Sequence, residues 1–138
     1  MRVLALDVGS VRIGVAVSDE TGIIAQPLKY IDMAGGEGSP LHDIKALIAD
    51  YDVKTVVVGL PLSMSGGSRG LSSRRALALG AAIEKKIGCN VVYFDERFST
   101  AAARRLLIED NVRRNKRKQV VDKLAAAVIL QGYLDGQK

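Results

Sequence analysis

Residues 2–18 of the chain are Arg2-Val3-Leu4-Ala5-Leu6-Asp7-Val8-Gly9-Ser10-Val11-Arg12-Ile13-Gly14-Val15-Ala16-Val17-Ser18. Five of the first seven are apolar and alternate onto both faces of a strand, as in a central strand, and residues 13–18 predict its antiparallel partner after a short turn. By strand alternation, Asp7 shares a face with Val3 and Ala5. The stretch therefore predicts a strand pair at the centre of a sheet, with one carboxylate in an apolar row.

The remaining periodicity extends this pair into a mixed α/β sheet. A hairpin with Gly22 at positive φ leads to a third strand at 23–31, which Pro27 confines to a sheet edge or an irregular stretch. Further along the chain the predicted elements are a helix at 41–51, a strand at 55–59, a helix at 76–87, a strand at 91–94, and helices at 99–107 and 119–134. Three antiparallel strands followed by helix–strand units are typical of an α/β, ribonuclease H-like fold, in which a five-stranded mixed sheet is flanked by helices.

Composition narrows the class of protein. The chain has 138 residues, so we expect 1–138 to form a single domain. Hydrophobic residues make up 48% of the chain, which excludes a disordered protein, yet no apolar run is long enough to cross a bilayer. The first residues lack the features of a signal peptide, so we expect a cytoplasmic protein that binds no membrane. The single cysteine, Cys89, and the single histidine, His42, exclude a zinc site of thiolates and imidazoles.

Three carboxylates stand in or beside otherwise apolar segments. Asp7 lies in the first predicted strand, Glu96 follows the strand at 91–94, and Asp122 lies in the last predicted helix. Open α/β sheets bind ligands at the carboxyl ends of their strands, which is where Glu96 falls. The adjacent Asp95 should point to the opposite side of its strand and have a structural role.

Asp122 belongs to an apolar helical stripe. It is followed on the same helical face by Ala125, Ala126, Ile129 and Leu130. That stripe should face the sheet, and its two alanines would let Asp122 approach Asp7 and Glu96. Two carboxylates about 4 Å apart repel by roughly 4 kcal/mol at an effective dielectric near 20. A cluster of three therefore requires protons or metal ions, and the pattern predicts Mg²⁺ or Mn²⁺ on hard oxygen ligands.

Structural roles are the alternative for the same acids. Asp7 could bond the backbone of the turn that follows its strand, and Asp122 could stand near a helix N-terminus because the helix dipole favours a negative charge there. His42 lies at the start of a predicted helix, where a solvated polar residue is usual, and Cys89 is most simply a small core residue.

Positive charge is concentrated in one segment. The formal net charge is +5, and residues 104–118 account for all of it. The basic residues there are Arg104, Arg105, Arg113, Arg114, Lys116, Arg117 and Lys118. Such a block is either a solvated surface or a phosphate-binding patch, and its position beside Asp122 favours a nucleic-acid partner. Aromatic residues are only 4% of the chain, so binding should depend on backbone charge and weaken steeply with salt.

Four segments, in this order, resemble the bacterial YqgF family over nearly the whole chain. They are Asp7-Val8-Gly9-Ser10-Val11-Arg12-Ile13-Gly14; Gly59-Leu60-Pro61-Leu62 with Gly66 and Gly67; Asp95-Glu96-Arg97-Phe98-Ser99-Thr100; and Val121-Asp122-Lys123-Leu124-Ala125-Ala126. The family comprises ribonuclease H-like proteins described as resembling Holliday junction resolvases and as nucleases that mature the 5′ end of 16S ribosomal RNA. One departure is Val11, where the family pattern suggests a polar or basic residue.

The resemblance implies that Asp7, Glu96 and Asp122 are catalytic and bind the metal. Two ions roughly 3.5–4 Å apart could activate water and stabilise the leaving 3′ oxygen of an in-line displacement. The substrate backbone would be held by basic side chains, which we expect to be Arg12, Arg97, Arg104, Arg113, Arg114, Lys116, Arg117 and Lys118. The expected partner is precursor ribosomal RNA, with structured DNA as an alternative.

Other functions remain open from the sequence. A Holliday junction resolvase would use the same acids, and would need two sites in a homodimer where an RNA-processing enzyme could act as a monomer. A non-catalytic RNA-binding or ribosome-assembly factor could use the same fold. An actin-like ATPase also begins with Asp-x-Gly in a hairpin, but it needs two lobes around its nucleotide. The sequence also predicts a glycine-rich loop at Ser65–Gly70, for which it suggests no role.

Overall fold

The computed structural model describes residues 2–33, 38–60, 68–95 and 117–137. The strands are β1 (Arg2–Val8), β2 (Arg12–Ser18), β3 (Ala25–Asp32), β4 (Val53–Leu60) and β5 (Asn90–Asp95). The helices are α1 (Gly38–Asp50), α2 (Ser68–Ala82), which continues as a π-helical segment (Ile83–Ile87), and α3 (Arg117–Gly136). None of these described helices is long and apolar enough to cross a membrane.

The strands form one five-stranded sheet in the order β3-β2-β1-β4-β5. Strand β1 pairs antiparallel with β2, and β2 pairs antiparallel with β3. On its other side β1 pairs parallel with β4, which pairs parallel with β5. The predicted mixed sheet with a central first strand is therefore confirmed.

The two faces of the sheet bury different cores. Leu4, Leu6 and Val8 of β1 pack on the face covered by α1 and α2, together with Ile44 and Ile83. Ala5 of β1 packs on the other face with residues of α3. We call these the α1/α2 face and the α3 face. Strand alternation places Asp7, two residues after Ala5, on the α3 face.

Small side chains hold α3 close to the sheet. Ala5 of β1 and Ala16 of β2 are fully buried in one cluster with Ala126 and Ala127 of the helix. Alanines on both surfaces bring a helix backbone nearer to a sheet than leucines would. The position of Ala126 against the sheet agrees with the predicted stripe, while the approach of Asp122 to Asp7 stays a prediction. Every residue of 124–130 is buried, so the helix is covered on all sides over two turns.

Gln131 fixes the position of α3 along the sheet. Its side-chain carbonyl accepts a hydrogen bond from the Ala25 N–H at 2.9 Å, and its amide donates to the Ile23 carbonyl at 2.9 Å. Ala25 pairs with Ser18, whose hydroxyl accepts a bond from the Val3 N–H. These contacts place the second half of α3 at the end of the sheet where β1 begins, so its first half extends towards the end where Asp7 lies.

Strand β3 forms the edge of the sheet, as Pro27 predicted. The pairing of β2 with β3 shifts between Val15 and Ala16, which pair with Lys29 and Pro27, so Leu28 is a bulge residue. The hairpin before β3 has Gly22 at φ 74°, also as predicted. The exposed Pro27 and Lys29 protect the edge against pairing with a further strand.

Some helix boundaries differ from the prediction. Helix α2 begins at Ser68, so residues 68–70 of the predicted glycine-rich loop are helical, while residues 65–67 lie outside the described part of the chain. Residues 69–75 include Gly70 and two serines, which are weak helix formers, so the extension follows from packing of the whole helix rather than from local propensity. Helix α3 begins at Arg117, earlier than predicted. The helix predicted at 99–107 also lies outside the described residues.

Candidate functional site

Asp7 lies in a row of residues that crosses the sheet on the α3 face. Its partner on β2 is Gly14, and the partner of Gly14 on β3 is Tyr30. On the parallel side, Asp7 is one residue beyond the Leu6–Val58 pair, which places Gly59 beside it. Gly59 pairs in turn with Phe94 of β5, which packs on the α3 face. The half-buried Asp7 thus has a glycine next to it on each neighbouring strand.

Two glycine neighbours distinguish this carboxylate from the other positions of β1. A glycine inside a strand contributes nothing to packing, and it often marks a place where another backbone or a ligand approaches closely. Gly14 and Gly59 are 45 positions apart in sequence, and only the pairing register brings them to the two sides of Asp7. The absence of side chains there leaves Asp7 as the largest group in the middle of the row.

The turn after Asp7 requires a glycine. The Gly9 N–H donates a hydrogen bond to the Arg12 carbonyl at 3.0 Å, and a Cβ on Gly9 would lie 2.8 Å from the same oxygen. The turn is also attached to the end of β3, because the Met33 N–H donates to the Val11 carbonyl at 3.0 Å. These bonds hold the start of β2, and therefore Arg12, in a defined place beside Asp7.

Arg12 stacks on Tyr30. Its guanidinium carbon lies 4.9 Å from the centre of the tyrosine ring, within the range of a cation–π contact. Arg12 is two residues before Gly14 on β2, so its side chain lies on the α3 face with Asp7 and Tyr30. Arg12 was predicted to bind substrate, and its position on the same face as Asp7 is compatible with that prediction. Tyr30 was missed, because no local pattern separates it from an ordinary edge-strand residue.

The other predicted site residues are described only in part or not at all. Asp122, Arg117 and Lys118 have their backbones in the first half of α3, and their side chains lie outside the description. Outside it altogether are Glu96, Arg97, Arg104, Arg113, Arg114 and Lys116. Among the described side chains, no group of three or more His, Cys, Asp or Glu is close enough to hold a metal ion. The triad of Asp7, Glu96 and Asp122 therefore stays a prediction.

Asp95 ends β5 opposite Leu60, one residue after Phe94. Because Phe94 packs on the α3 face, alternation places Asp95 on the other side of the strand, as predicted.

Three titratable groups elsewhere have structural roles. Thr21 and the Ile23 and Ile24 N–H groups donate hydrogen bonds to Asp19 and lower its pKa from 3.8 to about 2. Burial raises the pKa of the Cys89 thiol, which packs beside the α1/α2 core. His42 is exposed on α1. The interpretations of Cys89 as a packing residue and of His42 as a solvated one agree with these positions.

Comparison with known proteins identifies the family. The sequence pattern of the Holliday junction resolvase family RuvX matches residues 1–136. The chain belongs to that family. A RuvX-family relative from Clostridium beijerinckii, described as a candidate pre-16S rRNA nuclease, is 45% identical over 135 residues, which are 98% of this chain and 96% of the relative. A Bacillus thuringiensis protein with the same description is 47% identical over 140 residues, covering 99% of this chain and all of the relative.

Solved structures agree on the fold of this RuvX-family chain. RuvC of Thermus thermophilus, in complex with a Holliday junction substrate, matches with a TM-score of 0.66 at 16% identity, over 99% of this chain and 96% of RuvC. A Fowlpox virus resolvase in complex with junction DNA matches with a TM-score of 0.60 at 11% identity, over 99% of both chains. The fold is therefore the ribonuclease H-like fold of these resolvases, as the element order predicted.

Proposed function

We propose that this chain is a divalent-metal-dependent nuclease that hydrolyses phosphodiester bonds, with Asp7 at the centre of its active site. The observation that carries the proposal is the row across the α3 face. It places one carboxylate on the central strand, between Gly14 of β2 and Gly59 of β4, on the face of the sheet that α3 covers. Core packing does not require an acid at position 7, because small apolar residues such as Ala5 pack on the same face of the sheet.

The donor chemistry at Asp7 suits a hard cation. Carboxylate oxygens are preferred ligands of Mg²⁺ and Mn²⁺, and Asp7 supplies a half-buried carboxylate on the α3 face. Glu96 and Asp122, the other two carboxylates of the predicted triad, would complete the ligand set. When bound, the metal supplies charge neutralisation and polarisation at the reacting phosphate. The chain itself supplies the fixed position of Asp7, because β1 is held by strands on both sides.

Arg12 and the basic segment before α3 are the groups that we expect to hold the substrate backbone. Arg12 stands on β2, two positions along from Gly14. Helix α3 begins at Arg117 with no acidic residue in its first turn, and a helix N-terminus attracts phosphate through its free N–H groups. The basic residues between 104 and 118 precede that helix start directly in sequence. Contacts of this kind position a nucleic acid without selecting its sequence.

For the substrate we propose the 5′ end of precursor 16S rRNA, processed in the cytoplasm. The support is the description shared by relatives at 45–47% identity over nearly their whole length. A Holliday junction is the second candidate, favoured by the description of the family. A single copy of the chain would be sufficient for trimming RNA, whereas symmetric junction cleavage would need a homodimer.

The test is a side-by-side cleavage assay with purified protein. Precursor 16S RNA, single-stranded RNA, duplex DNA and a four-way junction are incubated with Mg²⁺, Mn²⁺ or EDTA. We expect cleavage of the precursor RNA only with a divalent ion, and a loss of at least a hundredfold in Asp7→Asn. Calorimetry should show weaker Mn²⁺ binding by the same variant.

Asp50→Asn is the matched control, because it removes the same charge from an exposed residue at the end of α1, on the opposite face of the sheet. It should cleave as the unmodified chain does. Full divalent-dependent cleavage by folded Asp7→Asn would show that the active site lies elsewhere. Salt-sensitive RNA binding without any Mn²⁺ binding would instead indicate a ribosome-assembly factor that does not cleave.

A further inference from the structure

Tyr30 is unusual among the aromatic residues of the chain. Of the five that the structure describes, it alone is exposed, with 38% of its surface accessible. The other four are half-buried, and each packs beside one of the two cores. They are Tyr51, Tyr93, Phe94 and Tyr133. Core packing therefore accounts for those four and leaves Tyr30 without such an explanation.

The position of Tyr30 relates it to the proposed active site. It lies on the same face of the sheet as Asp7 and in the same cross-strand row, with Gly14 between them. Two strand spacings separate the Cα atoms of Tyr30 and Asp7 by roughly 10 Å. Nucleotides of a duplex rise about 3.4 Å each along one strand, so this distance spans only a few nucleotides.

Arg12 adds a positive charge to the surface around Tyr30. Its guanidinium stacks on the ring at 4.9 Å, which restricts the ring and places a positive charge against it. The surface at this edge thus combines a flat aromatic ring and a planar cation. Nucleobases stack on tyrosine rings and on arginine planes, and phosphates pair with guanidinium groups.

We propose that Tyr30, together with the Arg12 stacked on it, binds an unpaired nucleobase of the substrate within a few nucleotides of the cleaved phosphodiester. The proposal rests on the proposed nuclease function and adds a structural requirement to the substrate. A base inside a continuous duplex cannot reach the ring, because its faces are occupied by neighbouring bases. The enzyme therefore prefers a strand with unpaired nucleotides beside the cut, such as the single-stranded extension of a precursor RNA, over a continuous duplex.

Binding of synthetic RNA hairpins tests the stacking. One hairpin carries a single-stranded 5′ extension, and a second hairpin is fully paired. In a further set of hairpins, one base of the extension at a time is missing. Equilibrium binding is measured in EDTA, so that cleavage does not affect the result. We expect Tyr30→Leu to bind the extended hairpin roughly tenfold more weakly and the paired hairpin unchanged. Tyr30→Phe, which keeps the ring, should bind as the unmodified chain does.

The abasic series makes the assignment specific. At one position, loss of the base should weaken binding by the unmodified chain roughly tenfold and should not weaken binding by Tyr30→Leu any further. Such non-additivity identifies two groups that contact each other. Arg12→Lys, which keeps the charge but loses the plane, should show a partial loss at the same position.

Tyr51 provides the matched control. It is also covered by an arginine, since the guanidinium carbon of Arg2 lies 5.7 Å from its ring centre, but it packs beside the α1/α2 core. Tyr51→Leu should lose some thermal stability and keep its preference for the extended hairpin. The stacking proposal would be overturned if the effects of base removal and of Tyr30→Leu were additive at every position of the extension. It would also be overturned if Tyr30→Leu bound each hairpin as tightly as the unmodified chain does. A protein that stacks the base in EDTA but cleaves nothing with Mg²⁺ or Mn²⁺ would instead overturn the nuclease proposal alone.

Discussion

The side chain of Gln131 is bound to the backbone of Ala25, with the Ala25 N–H donating to Oε1 at 2.9 Å across 106 positions of the chain. The same side chain donates to the Ile23 carbonyl and to Asp135, each at about 3 Å. One residue thus connects the last helix, the hairpin before β3 and the first residue of the edge strand. These bonds determine how far along the sheet α3 lies, and therefore how its first half is placed relative to Asp7.

Replacing Gln131 should loosen that connection. Gln131→Ala leaves the Ala25 N–H and the Ile23 carbonyl without their partner, at a cost of about 1–2 kcal/mol in unfolding free energy. Denaturant melts measure this loss. If α3 carries Asp122 to the active site, kcat should also fall. Gln26→Ala, at an exposed position of β3, is the control and should change neither quantity. An unchanged melt for Gln131→Ala would mean that packing alone positions α3.

Gly9 should not tolerate a side chain. In Gly9→Ala the new Cβ would lie 2.8 Å from the Arg12 carbonyl oxygen, a backbone atom that can move only if the turn changes shape. We expect a loss of about 1–3 kcal/mol in stability, with weaker substrate binding because Arg12 shifts. Gly136→Ala is a matched control, since a Cβ there meets no atom within 4 Å. Equal melting temperatures of the two variants would contradict this account of the turn.

Gly80 makes room for Tyr93. A Cβ at position 80 would overlap the Tyr93 hydroxyl and lie 2.8 Å from two ring atoms, Cε1 and Cζ. Alanine favours helix by about 1 kcal/mol over glycine, but moving the ring costs about 1–3 kcal/mol, so Gly80→Ala should destabilise the protein by roughly 1 kcal/mol. In a Tyr93→Leu background the same change should become neutral or stabilising. Equal effects in both backgrounds would show that the ring moves aside freely.

The carboxylate of Asp19 should contribute to the stability of the fold in a way that depends on pH. Its folded-state pKa of about 2 is below the ordinary value of 3.8, because donors from Thr21, Ile23 and Ile24 favour the charged form. A depressed carboxyl pKa stabilises the fold above about pH 4, and this contribution is lost as the pH falls towards 2. The difference in melting temperature between the unmodified chain and Asp19→Asn should therefore be constant from pH 5 to 7 and shrink below pH 4. A difference that is the same at pH 3 and pH 7 would contradict the assigned cause.

Local sequence patterns were sufficient for most of the fold. The apolar run of β1 predicted a central strand, Pro27 predicted the edge strand, and Gly22 predicted the hairpin, because each depends on the chemistry of neighbouring residues. Helix starts were less well predicted. Residues 68–70 were assigned to a loop from their glycine and serine content, yet they belong to α2. A helix end depends on the packing of the whole helix, which a short window of sequence does not contain.

For the candidate site, too, some features follow from local sequence and others only from the fold. Sequence alone determined that Asp7 is an acid in an apolar strand, and that Asp122 heads a stripe continuing through Ala126, because strand and helix periodicities are local properties. Only the tertiary structure decided which residues stand beside Asp7. Gly14 and Gly59 become its neighbours, and Tyr30 joins the same row, through the strand register, which is a relation between segments distant in sequence and has no local signature.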